Sequence, residues 1–444
     1  MRLAIISDIH LGDTLSVMAF RDQSDGSIQV GCRYNEFKEK VKEKFNGEEL
    51  DHLVLLGDIF DFTVASSSEA YAIAKFFFEK LKEDRIAKEI IFVPGNHDFE
   101  IWNTVEFQVN VTNRVKKGKY PTPFRMSVPG IIDDREGEPT RGFTLHNVTA
   151  RKEKNKPKYA GLFLDDMTKP TTPFNFVYPN LYLVTRDETV LITHGHYLEM
   201  FWSVVGKWGL KIINGDLDLK DQDRLDLKEM VGMNFPLSQL SSSGLGQSGP
   251  LVGVIQKLGH QMKEHDMTGF DKYFTRLGDE LRRLKIIRGC LQRLGFKYIK
   301  KKVLKALASV ETMRYRIEFH EDPKVRERFK DFYNSTVYEI DEIKNKYRTD
   351  IPLPTRMIFG HTHQPIPWGS PKAPSMKPDE LPQLPKGKIF TMYNSGGWLN
   401  KMDENNQPLF CGAEIFFYDT GEGFSSESIG YNPGTALGST NKNV

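Results

Sequence analysis

Residues 92–101 of the chain read FVPGNHDFEI: an apolar run ends in Pro-Gly and is followed at once by Asn96, His97 and Asp98. A plain turn requires only the glycine and tolerates the asparagine, because both residues accept a positive φ. It does not require a histidine and an aspartate beside them. The stretch therefore predicts a functional site at the end of a buried strand.

Four other apolar segments are followed by the same kinds of residue. We predict strands at 2–6, 53–56, 90–93, 189–193 and 356–359, and each runs into aspartate, asparagine or histidine. In chain order these residues are Asp8 and His10, Asp58 and Asp61, Asn96 and His97, His194 and His196, and His361 and His363. Ligands of α/β proteins collect at the carboxyl ends of strands, so we expect the five segments to converge on one site.

The apolar pattern also predicts the fold class. The predicted strands are almost continuously apolar, which is typical of strands in an α/β sheet with helices on both sides. Residues 69–87, between two of them, carry apolar residues at helical spacing. Further strands are predicted at 181–184, 388–393 and 413–418, and we interpret 104–180 as loops with a hairpin and a short helix. The sequence thus predicts an α/β protein.

Composition divides the chain into three parts. Residues 199–350 are rich in Lys, Arg, Glu and Leu in helix-like runs, and they separate the last two predicted strand motifs. We interpret them as a helical cap inserted into a core formed by 1–198 and 351–424. Residues 425–444 are polar and rich in glycine and serine, so we expect a flexible C-terminal tail.

Bulk composition fits a globular protein in a reducing compartment. A formal net charge of +2 does not indicate a nucleic-acid-binding protein. The three cysteines, Cys32, Cys290 and Cys411, are far apart and fit neither a disulfide framework nor a cysteine-rich metal site. No segment approaches the roughly 20 apolar residues of a membrane span. We expect a cytoplasmic protein and leave peripheral contact with the inner membrane surface open.

The residues at the strand ends indicate a metal site. Aspartate, asparagine and histidine supply oxygen and imidazole ligands, which suit Mn, Fe, Zn or Ni. There are too many such groups for one ion, but the number suits two. A carboxylate can bridge two ions about 3.5–4 Å apart, and such a pair binds the attacking and leaving oxygens of a phosphate ester. The expected cofactors are two divalent metal ions, with Mn favoured.

Taken in order, these motifs resemble the signature of the calcineurin-like metallophosphoesterases. The similarity covers roughly residues 1–198 and 351–420, and it implies a β-sandwich of two mixed sheets flanked by helices. It does not extend to 199–350. The motifs that carry it are DIH at 8–10, GDIFD at 57–61, GNHD at 95–98, HGH at 194–196 and GHTH at 360–363.

The resemblance also implies a role for each site residue. Asp58 would bridge two ions together with a hydroxide that attacks phosphorus. His97 would protonate the leaving oxygen or hold a phosphate oxygen, and Asp61 would orient His97. His196 is left open as a metal ligand or phosphate contact. One ion would take Asp8, His10, Asp58 and His363, and the other would take Asp58, Asn96, His194 and His361.

Two branches of the superfamily share details with the chain. GDIFDF and GNHDF look like the UDP-2,3-diacylglucosamine pyrophosphatase branch, the nearest in appearance, whereas SDIHLG looks like the Mre11/SbcD nucleases. That pyrophosphatase usually has Arg in place of His97 and Asp in place of His196. The nucleases usually carry their extra domain after the last motif, whereas here the extra residues precede it. Because no ligand position is lost, a binding scaffold without activity is disfavoured.

We therefore expect a dinuclear phosphoesterase that hydrolyses a phosphomonoester, phosphodiester or pyrophosphate, with the cap selecting a small or lipid-linked substrate. The alternative is a Mn-dependent nuclease. The most distinctive part of the cap is 281–307, where about ten Lys and Arg surround an apolar face, with no acidic residue. Three uses stay open for it: a helix packed inward, contact with an anionic membrane surface, or contact with a nucleic-acid backbone. That face consists of Leu284, Ile287, Leu291, Leu294 and Tyr298.

Overall fold

The structure is a computed structural model, and it describes most of the predicted core and parts of the predicted insertion. The described residues are 1–135, 174–199, 227–232, 266–283, 321–347, 350–402 and 407–431, with the single positions 234, 261, 294, 297, 298, 300, 301 and 304.

Sixteen strands are found among the described residues, and twelve of them form two six-stranded sheets. The strands are β1 (Arg2–Ile6), β2 (Ala19–Arg21), β3 (Ile28–Val30), β4 (Leu50–Leu56), β5 (Ala87–Val93), β6 (Gly130–Asp133), β7 (Phe174–Phe176), β8 (Asn180–Val184), β9 (Thr189–Thr193), β10 (Arg356–Phe359), β11 (Ser375–Met376), β12 (Phe390–Asn394), β13 (Asn400–Met402), β14 (Pro408–Phe410), β15 (Ala413–Asp419) and β16 (Gly423–Ile429).

Both large sheets are mixed. The first sheet has the order β16-β15-β1-β4-β5-β7, in which β1, β4, β5 and β7 run parallel, β15 is antiparallel to β1, and β16 is antiparallel to β15. The second has the order β11-β12-β10-β9-β8-β6, with β9, β10 and β12 parallel. The remaining strands form two small hairpins, β2-β3 and β13-β14.

Helices cover the sheets and include one long helix in the second half of the chain. A π-helix over Gln108–Thr112 joins the third helix to the fourth, and a 3-10 helix over His196–Leu198 follows β9. None of the described helices has both the length and the apolar character needed to cross a bilayer. The α-helices with defined bounds among the described residues are α1 (Tyr34–Lys44), α2 (Ser67–Glu83), α3 (Phe99–Phe107), α4 (Asn113–Val115), α5 (Thr268–Arg283) and α6 (Pro323–Tyr347).

The two sheets pack face to face and enclose an apolar layer. Ile5, Val54 and Ile91 lie in one row across the first sheet, because Ile5 pairs with Val54 and Val54 with Ile91. They pack in one cluster with Ile192 and Ile358 of the second sheet. The alternate residues of the same strands face outward into a second cluster with the helices. Burial on both faces explains why these strands are apolar almost throughout.

Helix α2 illustrates how the sequence sets an element that covers the first sheet. The Ser66 hydroxyl accepts a hydrogen bond from the backbone N–H of Glu69 at 3.2 Å, which caps the first turn. Ile73, Phe77 and Leu81 then recur at helical spacing and are buried. The helix predicted over 69–87 is confirmed, but it ends at Glu83.

Helix α6 lies within the predicted insertion, yet it packs on the second sheet. The rings of Phe329 and Tyr333 each lie 5.1 Å from that of Phe390 in β12. The Tyr333 hydroxyl also donates to the carbonyl of Pro354 at 3.0 Å. The boundaries of the insertion stay a prediction, but α6 is part of the core packing.

Three regions correct or limit the predictions. Residues 104–180 contain the expected helix, which reaches Val115, but the two strands described there, β6 and β7, pair with β8 and β5 as edges of the large sheets and not with each other as a hairpin. The prediction of a flexible tail from residue 425 is wrong for the first residues of that segment, because β16 pairs with β15 along its whole length. Most of 281–307, including Leu284, lies outside the described residues.

Candidate metal centre

The predicted site residues meet at one end of the sandwich. The segments after β1, β4 and β5 come from the first sheet, and those after β9 and β10 come from the second. None of the ten residues is more than 7% exposed. They are Asp8, His10, Asp58, Asp61, Asn96, His97, His194, His196, His361 and His363.

One group of candidate ligands joins the two sheets through Asp8, His10 and His363. Asp8 Oδ1 lies 3.1 Å from His363 Nε2, and the Nε2 atoms of the two histidines are 3.2 Å apart. All three side chains are buried, and their ligand atoms lie within 4.8 Å of one another. This spacing suits three donors around one ion.

A second group consists of Asp58, His194 and His361, whose ligand atoms also lie within 4.8 Å of one another. His194 Nε2 is 3.3 Å from Asp58 Oδ2 and 3.3 Å from Asn96 Oδ1. Asn96 therefore lies beside this group, where its amide oxygen can add a fourth donor.

Asp8 and Asp58 each accept a backbone N–H group with one carboxylate oxygen and turn the other oxygen towards the histidines. Asp58 Oδ1 accepts the backbone N–H of His97 at 2.8 Å, and Asp8 Oδ2 accepts that of His361 at 2.9 Å. The other oxygens, Asp8 Oδ1 and Asp58 Oδ2, are buried and accept no hydrogen bond within the described part of the chain. A buried carboxylate oxygen that accepts no hydrogen bond lowers the stability of the fold, so these two oxygens fit a bound cation.

Asp58 Oδ2 lies between the two groups. It is 3.3 Å from His194 Nε2 in the second group and 4.0 Å from His10 Nε2 in the first. His97 Nε2 also lies 4.0 Å from the same oxygen. One carboxylate oxygen therefore faces donors of both groups, which is the position required of a bridging ligand.

The backbone of the site is strained where the ligands are. Seven non-glycine residues in the described ranges have a positive φ, a region that such residues adopt rarely. Five of the seven are candidate ligands. Strain of this kind concentrates at functional sites, where it aims side chains that an ordinary turn would point elsewhere. The five are Asp8 (φ 52°), His10 (53°), Asp58 (52°), His361 (67°) and His363 (54°).

Two glycines allow the segments to approach so closely. A Cβ on Gly57 would lie 2.4 Å from His194 Nδ1, and one on Gly360 would lie 2.3 Å from Asp8 Oδ2. Any side chain at either position would push a candidate ligand away. The glycine before Asp58 and the one before His361 are therefore required by packing around the site.

The site attracts positive charge. Burial raises the pKa of Asp58, but attraction to His194 and His97 outweighs it and holds that pKa well below its usual value. Burial likewise raises the pKa of Asp8, and His363 outweighs it. Burial lowers the pKa of His194, yet Asp58 raises it to about 9. The two carboxylates thus stay ionised although they are buried, as metal ligands must.

Asp61 contacts two histidines with its two oxygens. Its Oδ1 lies 3.0 Å from His97 Nδ1, and its Oδ2 lies 2.9 Å from His10 Nδ1. Each contact leaves the Nε2 of that ring facing Asp58 Oδ2. Asp61 therefore orients a candidate ligand as well as the predicted acid, a double role that the sequence does not reveal.

His196 lies at the edge of the site. Its Nε2 is 3.4 Å from the Tyr178 hydroxyl, and its ring lies 4.1 Å from that of Tyr197. The ring centroid of His194 is 5.4 Å away. Among the described residues His196 belongs neither to these two ligand groups nor to the third cluster of possible ligands, which is formed by His10, Asp61 and His97.

Two further acidic residues belong to the site. Asp98 accepts backbone N–H groups from Ile59 at 2.7 Å and Gly95 at 2.6 Å, which ties the loops after β4 and β5 together. Burial, with repulsion from Asp58, raises the pKa of Asp98 to about 7. Glu199, which no motif contains, lies 2.6 Å from His361. Asp98 could have been found in GNHD, whereas Glu199 had no sequence signal.

Comparison with known proteins agrees with this geometry. The model of the calcineurin-like phosphoesterase family matches residues 1–227, just over half of the chain. That segment includes eight of the ten predicted site residues, and His361 and His363 lie beyond it. No curated protein matches the chain. The chain belongs to the calcineurin-like phosphoesterase family, and it is a metal-dependent hydrolase of phosphoric ester bonds.

Proposed function

We propose that the protein is a dinuclear phosphoesterase that hydrolyses a phosphomonoester, a phosphodiester or a pyrophosphate in a small or lipid-linked substrate. The observation that carries the proposal is the position of Asp58 Oδ2, which faces His194 on one side and His10 on the other. A centre for one ion has no need of an aspartate between two groups of donors.

The residues fit two ions with distinct ligand sets. Both sets are mixtures of nitrogen and oxygen donors, which suit Mn, and also Fe, Zn or Ni. When bound, the two cations would acidify a shared water and hold the non-bridging oxygens of the phosphate. The first ion would take Asp8, His10, Asp58 and His363, and the second would take Asp58, Asn96, His194 and His361.

The remaining chemistry belongs to His97. Asp61 accepts a hydrogen bond from Nδ1–H of His97, so the ring presents Nε2 towards the centre. A histidine placed there donates a proton to the leaving oxygen, a form of acid catalysis that is typically worth 10²–10⁴-fold. Burial of the surrounding donors excludes water and strengthens their action on the phosphate.

Two observations favour a small or lipid-linked ester. His97 occupies the position where the pyrophosphatase branch usually carries arginine, and an imidazole suits the expulsion of an alcohol. The candidate ligands are at most 4% exposed, so a protruding phosphate group reaches them better than a rigid duplex does. His196 lies beside the second group and would contact a phosphate oxygen of a larger substrate.

Metal-stripped protein tests the proposal when Mn, Zn, Ni or Fe is added back before hydrolysis of p-nitrophenyl phosphate and bis-p-nitrophenyl phosphate. We expect metal-dependent turnover of at least one ester, and the preferred ester separates monoester from diester chemistry. Cleavage of single-stranded DNA with neither small ester turned over would favour the nuclease instead. Turnover that is unchanged after metal removal would contradict the proposal.

A further inference from the structure

Glu199 is a buried acid beside a candidate ligand. It follows the 3-10 helix His196–Leu198 and is only 3% exposed. Its Oε2 lies 2.6 Å from Nε2 of His361. Glu199 belongs to none of the candidate ligand groups in the described ranges, but it contacts His361, which belongs to the second group.

This contact decides which nitrogen of His361 can bind an ion. A carboxylate accepts a hydrogen bond from an imidazole N–H, so the proton of His361 is on Nε2 and the lone pair is on Nδ1. The backbone N–H of His361 is held at the same time by Asp8 Oδ2 at 2.9 Å. Backbone, ring orientation and tautomer are thus all fixed before an ion arrives. Partners of this kind raise the basicity of a metal-binding histidine.

Helix α6 holds the segment that carries Glu199. Arg328 of this helix is 8% exposed, and its Nε donates to the carbonyl of Leu198 at 2.7 Å. Tyr197 in the same segment packs against Phe332 of α6, with ring centroids 6.3 Å apart. The carboxylate of Glu199 is also among the acidic groups whose charge acts on the buried guanidinium.

We propose that Glu199 is a positioning residue for the second metal ion, that it acts through His361, and that Arg328 anchors it to α6. A helix from the predicted insertion is then coupled to one ligand of the metal centre. The inference rests on the proposed dinuclear centre and adds a determinant of its assembly that none of the sequence motifs contains.

Titration of metal-stripped full-length protein with Mn tests the proposal directly, by calorimetry and by metal content per chain. Loss of such a partner typically costs about 10–100-fold in metal affinity. We therefore expect Glu199→Ala to weaken binding of one ion by about that factor and to leave the other unchanged. Glu199→Gln keeps a hydrogen-bond acceptor without the charge, so its affinity for that ion should fall by a smaller factor. Two ions bound by Glu199→Ala with wild-type affinity would overturn the proposal.

A double-mutant cycle with His361→Ala shows whether Glu199 acts through His361. If it does, the double variant binds Mn no more weakly than His361→Ala alone, because the residues share one interaction. Additive losses would overturn the proposal. Arg328→Lys should weaken the same ion by a smaller factor, since the contact with Leu198 is impaired and Glu199 is retained.

Glu339→Gln is the matched control for general disturbance of α6. Glu339 is buried on this helix and accepts a hydrogen bond from Tyr182 at 2.7 Å, but it makes no contact with the candidate ligands among the described residues. It should bind both ions as the wild type does. If Glu339→Gln and Glu199→Gln lost the same amount of Mn affinity, Glu199 would have only a structural role, and the inference would be overturned. Failure of the dinuclear proposal would appear instead in the wild type, as fewer than two ions.

Discussion

At the scale of single residues, Asp58 combines two tasks that a substitution can separate. Oδ1 holds the backbone of His97, and Oδ2 faces both groups of donors. Asp58→Asn keeps the shape and one acceptor but removes the bridging charge. We expect the fold to survive and turnover of bis-p-nitrophenyl phosphate to fall by at least about 10³-fold, since the shared nucleophile is lost.

Asp134→Asn is the control for that variant. Asp134 is also a buried carboxylate, but it binds the hydroxyls of Tyr418 and Thr420 on another part of the first sheet. Its substitution should leave metal content and turnover unchanged. Wild-type turnover in Asp58→Asn would refute the bridging role.

His97 is predicted to act on the leaving group. Without a proton donor, an ester with a basic leaving group should react much more slowly, whereas p-nitrophenolate leaves with little help. In His97→Ala, turnover of an alkyl phosphate should therefore fall by about 10²-fold or more, and turnover of a p-nitrophenyl ester by clearly less. The metal content should not change. An equal loss on both esters would argue against His97 as the acid.

Asp61 is predicted to affect both metal binding and acid catalysis, because it contacts His10 as well as His97. Asp61→Asn should weaken Mn binding and also steepen the dependence of rate on leaving group. His97→Ala should show only the second effect. Calorimetry and a series of esters separate the two, and normal Mn affinity in Asp61→Asn would mean that His10 needs no such partner.

At the scale of elements, α6 is fixed to the second sheet by a buried acid. Glu339 accepts hydrogen bonds from Tyr182 and Ser127, both of which lie far from the helix in the sequence. Burial raises the pKa of Glu339 from 4.5 to about 7, and the hydrogen bonds offset only part of that effect. The helix is therefore docked best when this carboxyl is protonated.

The pH dependence of stability follows from that shift. Below about pH 4.5 both the folded and the unfolded chain carry the proton on Glu339, so nothing is lost. Between pH 4.5 and 7 the unfolded chain releases the proton first, and the free energy of unfolding falls as pH rises. The full loss, about 3 kcal/mol, is reached above pH 7.

Glu339→Gln has no such proton to lose. We expect its free energy of unfolding to fall less than that of the wild type between pH 5 and pH 8, by about 3 kcal/mol. Urea unfolding at the two pH values measures the difference. Parallel behaviour of the two proteins would show that Glu339 titrates normally in the folded chain.

The elements also show what the sequence could and could not reveal. The central strands were predictable because burial on both faces makes them apolar throughout. Strand β16 was not, because it is an edge strand with three serines and no continuous apolar run, and its pairing depends on β15. The role of Glu199 was not predictable either, since its contact with His361 depends on how the 3-10 helix after β9 packs against α6, and local sequence does not reveal that packing.

At the scale of the whole molecule, the metal centre links the two sheets. Asp8, Asp58 and Asn96 follow strands of the first sheet, whereas His194 and His361 follow strands of the second. Bound ions should therefore stabilise the sandwich as a unit. At 100 times Kd, each ion adds about 2.7 kcal/mol to the free energy of unfolding.

Thermal unfolding with and without Mn measures this stabilisation. We expect the metal-loaded wild type to unfold at a clearly higher temperature than the stripped protein. The increase should be smaller in Asp58→Asn, which loses a ligand shared by both ions. Equal increases in the two proteins would place the ions away from the proposed site.

In the proposed centre two ions share Asp58. A titration of metal-stripped protein with Mn tests this, with turnover and electron paramagnetic resonance measured at each step. We expect activity to rise with the second equivalent of Mn, binding to saturate at two ions per chain, and the signal to be that of a coupled Mn pair. Full activity at one equivalent, with only the signal of isolated Mn, would contradict it.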